Sequence, residues 1–280
     1  MVPAGKREDE QQGKAGPRGP ERQPGVSRTA LITGSSAGLG RAMAERLARD
    51  GCVVGINGRD PDRVHRTVQE LRVAGYQAFP APGNMSRPAD IEAVIQAAVA
   101  ATGRLDILVN NAGGTAGLHT TPNFEDFGED AWRAVLDLNL TGTFLCCRAA
   151  VPHMKAQQWG RVINIASESA RVPIVPRNAG FAYAAAKSGI QGFSRVLAAH
   201  LAPFGITVNV VAPGFTRSER AEASYAALSA EQRRERVRAI KVGRWAEPLE
   251  IAGAVAYLAS EEASYCVGAV LDVNGGSFMP

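Results

Sequence analysis

Apolar residues in this chain follow two patterns that take turns: short unbroken runs, and longer stretches in which they recur at helical spacing. The short runs Thr29 to Thr33, Val53 to Asn57, Gln77 to Pro80, Leu105 to Asn110, Arg161 to Ala166, Ile206 to Val211 and Val270 to Val273 predict strands. The stretches Arg41 to Asp50, Asp62 to Ala74, Pro88 to Thr102, Trp132 to Met154, Tyr183 to Leu201 and Pro248 to Ser260 predict helices. Strand and helix in alternation make βαβ units, with parallel strands covered by helices. The predicted fold class is α/β, a Rossmann-type doubly wound parallel sheet of about seven strands with helices on both faces, in a single domain over residues 29–280.

Two stretches break the pattern. Met1 to Arg28 is rich in Gly, Pro, Gln and charge of both signs and has no apolar periodicity, so it cannot offset the entropy of ordering; a disordered N-terminal tail is expected. Thr216 to Arg244 is helical in composition yet inserted between a strand and the last helix. A connection of that length suits a cover over a site, so a substrate loop is expected over about 216–244.

Composition narrows the class further. At 280 residues the chain buries enough surface to fold without metal or disulfide. Cys52, Cys146, Cys147 and Cys266 show no metal-ligand spacing, which predicts reduced thiols, no metal, and a reducing cytoplasmic location. No long apolar run and no signal-peptide core are present, so no membrane partner is expected, and the sequons at Asn84 and Asn139 carry no meaning. The net charge of +4 is small and dispersed, which argues against a nucleic-acid partner. The densest basic cluster, Arg233 to Arg238, is interrupted by Glu235 and reads as a solvated helix face.

Two local patterns carry chemistry. TGSSAGLG, Thr33 to Gly40, stands directly between the first strand and the first helix. Gly34, Gly38 and Gly40 let the backbone turn and come close to a ligand, and the helix start then offers N–H groups and a positive dipole end to a pyrophosphate. The second pattern is Tyr183-Ala184-Ala185-Ala186-Lys187, where a spacing of four puts both side chains on one helix face. A phenol with an ordinary pKa of about 10 is a poor acid at neutral pH, and a nearby ammonium favours its ionised form.

These patterns have company in a fixed order: the glycine turn, Asn110-Asn111-Ala112-Gly113, Asn139 within a helix, Ser167 after a buried strand, Tyr183 and Lys187, then Pro213-Gly214. From Thr29 to the C-terminus the chain thereby resembles the classical short-chain dehydrogenase/reductases, with TGxxxGxG, NNAG, YxxxK and PG in place. Gly243 to Pro248 and Val270 to Gly276 are most similar to the 3-oxoacyl-carrier-protein reductase branch.

The resemblance implies reversible hydride transfer between a nicotinamide and a carbonyl or secondary alcohol of a small molecule. Tyr183 would exchange the proton and Lys187 would bind the nicotinamide ribose. Ser167 would hydrogen-bond the carbonyl oxygen, with Ser169 as a rival, and Asn139 would hold a water linking Lys187 to solvent. It places the cofactor against Gly34, Ser36, Gly38, Leu39 and Gly40 of the turn, Asn84 and Met85 after the third strand, Asn111, Ala112 and Gly113, and Pro213, Gly214 and Thr216. NAD-preferring relatives usually carry Asp where this chain has Gly58, and Arg59 follows; a guanidinium pairs with a 2'-phosphate, which points to NADP(H). Asp60, with Asp62, reads as the cap of the helix from Pro61. Family members are commonly tetramers or dimers, so a homo-oligomer is expected. The rival readings are an NAD-dependent sugar or steroid alcohol dehydrogenase and a non-catalytic NADP-binding sensor.

Overall fold

Seven parallel strands form one sheet in the order β3-β2-β1-β4-β5-β6-β7: β1 (Thr29–Ile32), β2 (Val53–Ile56), β3 (Ala78–Pro80), β4 (Ile107–Asn110), β5 (Gly160–Ile165), β6 (Ile206–Pro213) and β7 (Val270–Val273). The structure, a computed structural model, describes residues 27–118, 124–172, 180–226 and 228–280. All of the expected strands are present, and β6 runs two residues further than expected, to Pro213. Successive strand residues point to opposite faces, so each strand feeds two cores. Ala30 and Ile32 of β1 pack on one side and Leu31 on the other.

The first core receives α1 (Gly38–Arg49) and α2 (Pro61–Val73) through Met43, Leu47, Val64 and Val68. The second receives α3 (Pro88–Thr102) through Ile91 and Ile95. The helix expected from Trp132 to Met154 is longer and broken in register: α4 (Glu129–Leu136) and α5 (Gly142–Gln157) are joined by a π turn, Asp137–Thr141. Gly142 explains the close packing at that joint, because a Cβ there would lie 2.3 Å from the Met85 carbonyl oxygen. The whole stretch Glu129–Gln157 is long and apolar enough to cross a membrane by length and composition. Here, however, Cys146, Cys147, Ala150 and Met154 of α5 are buried in the second core.

α6 (Gly180–Leu201) begins three residues before Tyr183 and joins α5 on the second face, and α9 joins α1 on the first as Pro248–Ala259. The segment expected as a cover contains α7 (Glu219–Ala226) and α8 (Ala230–Ala239), the latter opened by a capping box between Ser229 and Gln232. Strand order reverses between β1 and β4, which are neighbours with outward-running connections. In sheets of this kind the crevice at the carboxyl ends of such strands is the binding position.

Of the expected tail, residues 1–26 lie outside the described residues. Arg28 belongs to the fold: its guanidinium lies 3.6 Å from the centre of the Trp159 ring, and Arg161 lies 4.3 Å from the same ring. Both guanidiniums are paired with Glu261. Burial lowers the Arg161 pKa to about 10 despite the pull of Glu261. Glu261→Gln leaves that buried cation without its carboxylate, so denaturant unfolding is expected to show a loss of about 1–2 kcal/mol, kept small by the solvent that reaches Glu261. Unchanged stability would mean that Glu261 contributes nothing to the clasp.

Candidate active site

The glycine turn is held from three strand ends. At the end of β1 the Thr33 hydroxyl accepts from the N–H groups of Asn111 at 3.0 Å and Ala112 at 2.9 Å. The Asn111 amide returns to the Thr33 carbonyl at 2.9 Å and the Gly34 carbonyl at 3.2 Å. From the end of β2, Asn57 accepts the Gly34 N–H on its side chain at 2.9 Å and the Ser35 N–H on its backbone at 2.8 Å. Thr33 and Asn57 therefore position the turn, a role that their place in the sequence did not reveal.

Within the turn the glycines have physical reasons. Gly34 and Gly38 adopt φ of +64° and +54°, which disfavour a side chain. At Gly40 a Cβ would lie 2.3 Å from the Gly34 carbonyl oxygen and 2.5 Å from the Asn111 amide. Leu39 packs against the first core. Ala37, the residue before α1, provides no side-chain cap. The first N–H groups of α1 thus face the crevice without a side-chain acceptor, an arrangement that fits a dinucleotide pyrophosphate.

Beyond β2, Arg59 lines two adjoining clefts. One, of about 500 Å³, also meets Asn84, Arg87 and Asp90. The other, of about 410 Å³, is formed by Ser36, Arg59, Asp60 and Arg63. Arg63 was not singled out from the sequence, because nothing in its spacing marks it. A Cβ on Gly58 would lie 2.5 Å from the Ser36 hydroxyl and 3.1 Å from Val64, leaving little room for a carboxylate side chain. Asp60 caps α2, accepting from the N–H groups of Asp62 at 3.0 Å and Arg63 at 3.2 Å. Asn84 uses its side-chain oxygen locally, accepting from the Ser86 N–H at 3.1 Å and hydroxyl at 2.9 Å. Met85 is buried, with its carbonyl against Gly142.

On the other side of the switch point, β6 ends in Pro213, and the Gly214 N–H donates to Val273 at 2.9 Å. The Thr216 hydroxyl donates to the Gly214 carbonyl at 3.0 Å. Ser218 stands across from the glycine turn, 3.8 Å from where a Cβ on Gly38 would lie.

The expected Tyr/Lys pair lies where β5 meets α6. Lys187 is 3% exposed, and its ammonium donates to the Ile165 carbonyl at 2.7 Å. The same nitrogen lies 5.5 Å from the centre of the Tyr183 ring. Gly113 admits this approach, since a Cβ there would lie 3.2 Å from the Lys187 nitrogen and 2.5 Å from the Asn139 amide oxygen. Two residues beyond Ile165, Ser167 accepts from the Ser169 N–H at 3.2 Å, which leaves the Ser167 hydroxyl hydrogen for another acceptor. The rival Ser169 has a buried hydroxyl without a hydrogen-bond partner.

For Asn139, expected to hold a water linking Lys187 to solvent, the side chain is engaged with protein groups. It is fully buried in the π turn, where its amide donates to the carbonyls of Gly114 and Val135, both at 2.8 Å, and accepts from the Gly114 N–H at 3.0 Å. Its side chain therefore fixes the loop after β4. Within the expected substrate loop, residue 227 lies outside the described residues. Among the described residues no group of three or more potential metal ligands occurs.

A glycine cradle at a strand-order reversal, with a Tyr/Lys pair and a serine at neighbouring strand ends, is the arrangement expected of a nicotinamide-dependent oxidoreductase. The model of the family described as short chain dehydrogenase matches residues 28–229, and the chain belongs to that family. Among curated proteins, the 3-oxoacyl-[acyl-carrier-protein] reductase FabG of Staphylococcus aureus (strain N315) is 37% identical over 257 residues, covering 91% of this chain and 99% of that one. The short-chain reductase protein NovJ of Streptomyces niveus is 37% identical over 251 residues, 88% of this chain and 92% of its own. Among solved structures, a variant actinorhodin polyketide ketoreductase with NADPH superimposes with a TM-score of 0.82 at 32% identity, covering 90% of this chain and 97% of that one. The protein is accordingly an oxidoreductase of the short-chain dehydrogenase/reductase type.

Gly40→Ala drives a methyl group into the Gly34 carbonyl. Fluorescence titration is expected to show dinucleotide affinity lowered at least about tenfold, and unfolding a stability loss of about 1–3 kcal/mol; wild-type affinity would show that the turn does not hold the cofactor.

Proposed function

We propose that this protein is an NADP(H)-dependent ketoreductase of the short-chain type, reducing the ketone of a 3-oxoacyl thioester or a related small molecule to a secondary alcohol, reversibly. The observation that carries the reading is the buried Lys187 ammonium, bonded to Ile165 and lying beside the Tyr183 ring. An ammonium withdrawn from water acts strongly on a neighbouring phenol, because little solvent screens the two.

The bound cofactor supplies the hydride to the carbonyl carbon and accepts it in the reverse direction. Tyr183 gives its phenolic proton to the carbonyl oxygen during reduction and takes it back during oxidation. Ser167 donates its hydroxyl hydrogen to the same oxygen, stabilising the charge that builds there. Lys187 binds the nicotinamide ribose and favours the ionised phenol left behind. The Asn139 side chain bonds the Gly114 backbone and so keeps the loop after β4 beside Lys187, and Asn139 would hold a water that passes protons between Lys187 and solvent.

NADP(H) over NAD(H) rests on Arg59 at the junction of two clefts, on Arg63 beside it, and on the crowding at Gly58. Two guanidiniums suit a 2'-phosphate, and Asp60 is committed to capping α2. Gly34, Ser36, Gly38, Leu39 and Gly40 cradle the pyrophosphate. Asn111, Ala112, Gly113, Pro213, Gly214 and Thr216 surround the nicotinamide half, with Asn84 and Met85 at the adenine. The edge strand β7, with Leu271 37% exposed, supports a homo-oligomer, a tetramer or dimer. Cys52, Cys146, Cys147 and Cys266 form no disulfide, which suits the cytoplasm.

With acetoacetyl-CoA or a ketone panel, Tyr183→Phe is expected to abolish NADPH oxidation while NADPH binding stays within a few fold. Retained turnover in that variant contradicts the assignment, and tight NADPH binding without turnover of any ketone by the wild type favours a sensor. Arg59→Ala is expected to weaken NADPH about 10–100-fold and to leave NADH affinity unchanged, as measured by fluorescence titration; equal effects on both mean that Arg59 does not read the 2'-phosphate.

A further inference from the structure

Glu168 has no part in the roles above, yet it stands at the centre of the site's scaffold. It follows Ser167 directly, opens the short 3-10 turn Glu168–Ala170, and is only 4% exposed. Burying a carboxyl is costly unless it gains partners. Burial pushes its pKa up, opposed by a hydrogen bond from Ser277.

Its partners come from two other strand ends. The Ser277 hydroxyl donates to Oε2 of Glu168. A Cβ on Gly214 would lie 3.1 Å from that same oxygen, so the carboxyl sits flush against the turn that follows β6. Gly214 is enclosed from the other side as well, with its Cβ position 2.7 Å from the Asn274 Cα. Asn274 in turn closes the C-terminal segment on itself, donating to the Phe278 carbonyl at 3.0 Å and accepting from the Gly276 N–H at 2.9 Å. A second contact runs in parallel: Arg171 lies 3.4 Å from Asp272 and 5.4 Å from the centre of the Phe278 ring.

We infer that Glu168 is a positioning residue, whose carboxyl packs the Ser167 turn after β5 against the Gly214 turn after β6 and ties it to the segment after β7 through Ser277, fixing the spacing between the oxygen-binding serine and the nicotinamide. The inference rests on the functional reading above for what Ser167 and Gly214 hold; the tie itself rests on the contacts alone. A shift of the serine by about 1 Å relative to the hydride donor is enough to lower a rate about a hundredfold. The carboxyl acts by shape and hydrogen bonding rather than by charge, so an amide of the same size can replace it.

The test uses the full chain as wild type, Glu168→Ala, Glu168→Gln and Ser277→Ala. Hydrogen exchange is followed without added cofactor in peptides covering 212–218 and 274–280, and NADPH-dependent reduction of ethyl acetoacetate is measured alongside. Glu168→Ala is expected to speed exchange in both peptides and to lower kcat about a hundredfold, with KM for NADPH within a few fold. Glu168→Gln is expected to restore both readouts to near wild type, and Ser277→Ala to speed exchange in 274–280. Unchanged exchange in both Glu168→Ala and Ser277→Ala overturns the tie, and equal loss in Glu168→Gln and Glu168→Ala overturns positioning by shape. If Glu168→Ala does not fold, Glu168→Gln and Ser277→Ala decide by the same criteria. A wild type that reduces no ketone counts against the functional reading, and the exchange data then decide the tie by themselves.

Discussion

A buried ammonium held by a strand end is the constraint from which the rest of the site follows. Withdrawing a lysine from water costs several kcal/mol unless its charge finds partners. Lys187 has the Ile165 carbonyl, at 2.7 Å, where the last residue of β5 leaves the ladder. Gly113 has no side chain to crowd the lysine, and Asn139 keeps the loop after β4 in place beside it. Once the lysine is fixed, helical spacing brings Tyr183 beside it, and the Tyr183 ring packs against Val135 and Ala182.

The same logic extends outward, since the groups proposed for binding or chemistry cluster at the carboxyl end of the sheet. The ends of β1, β2 and β4 are joined by Thr33, Asn57 and Asn111, which form the cradle. The ends of β5 and β6 are joined through Glu168, Gly214 and Ser277. The bonds of the cradle bridge paired strands, and the Glu168–Ser277 bond spans β6 from the turn after β5 to the segment after β7, so the sheet fixes the spacing and the side chains fix the turns. Hydrophobic packing on two faces supplies the rigidity that such a site needs.

The sequence showed the fold well because buried parallel strands are apolar on both faces and therefore appear as unbroken runs. Thr29 to Ile32 and Ile107 to Asn110 are fully buried along their lengths. Helix starts were less visible: α1 begins inside the glycine turn, at Gly38, before any apolar repeat has been established. The π turn at Asp137–Thr141 left no local signal, since it answers a tertiary contact between Gly142 and Met85. Asp60 was readable as a cap because an aspartate before a proline is a local pattern. Asn57 and Glu168 were not, because their partners are distant in sequence. For Asn139 the residue was visible and the engagement of its amide was not, since that depends on where Gly114 and Val135 lie.

The most direct test of the central claim is a single-turnover measurement of hydride transfer in the wild type and in Lys187→Met, with NADPH already bound and a reducible ketone added. If the buried ammonium enables the phenol to pass its proton, the rate in the variant falls by about 10²–10⁴-fold, while thermal stability shows that the protein remains folded. An unchanged rate in a folded, NADPH-saturated Lys187→Met would contradict the account.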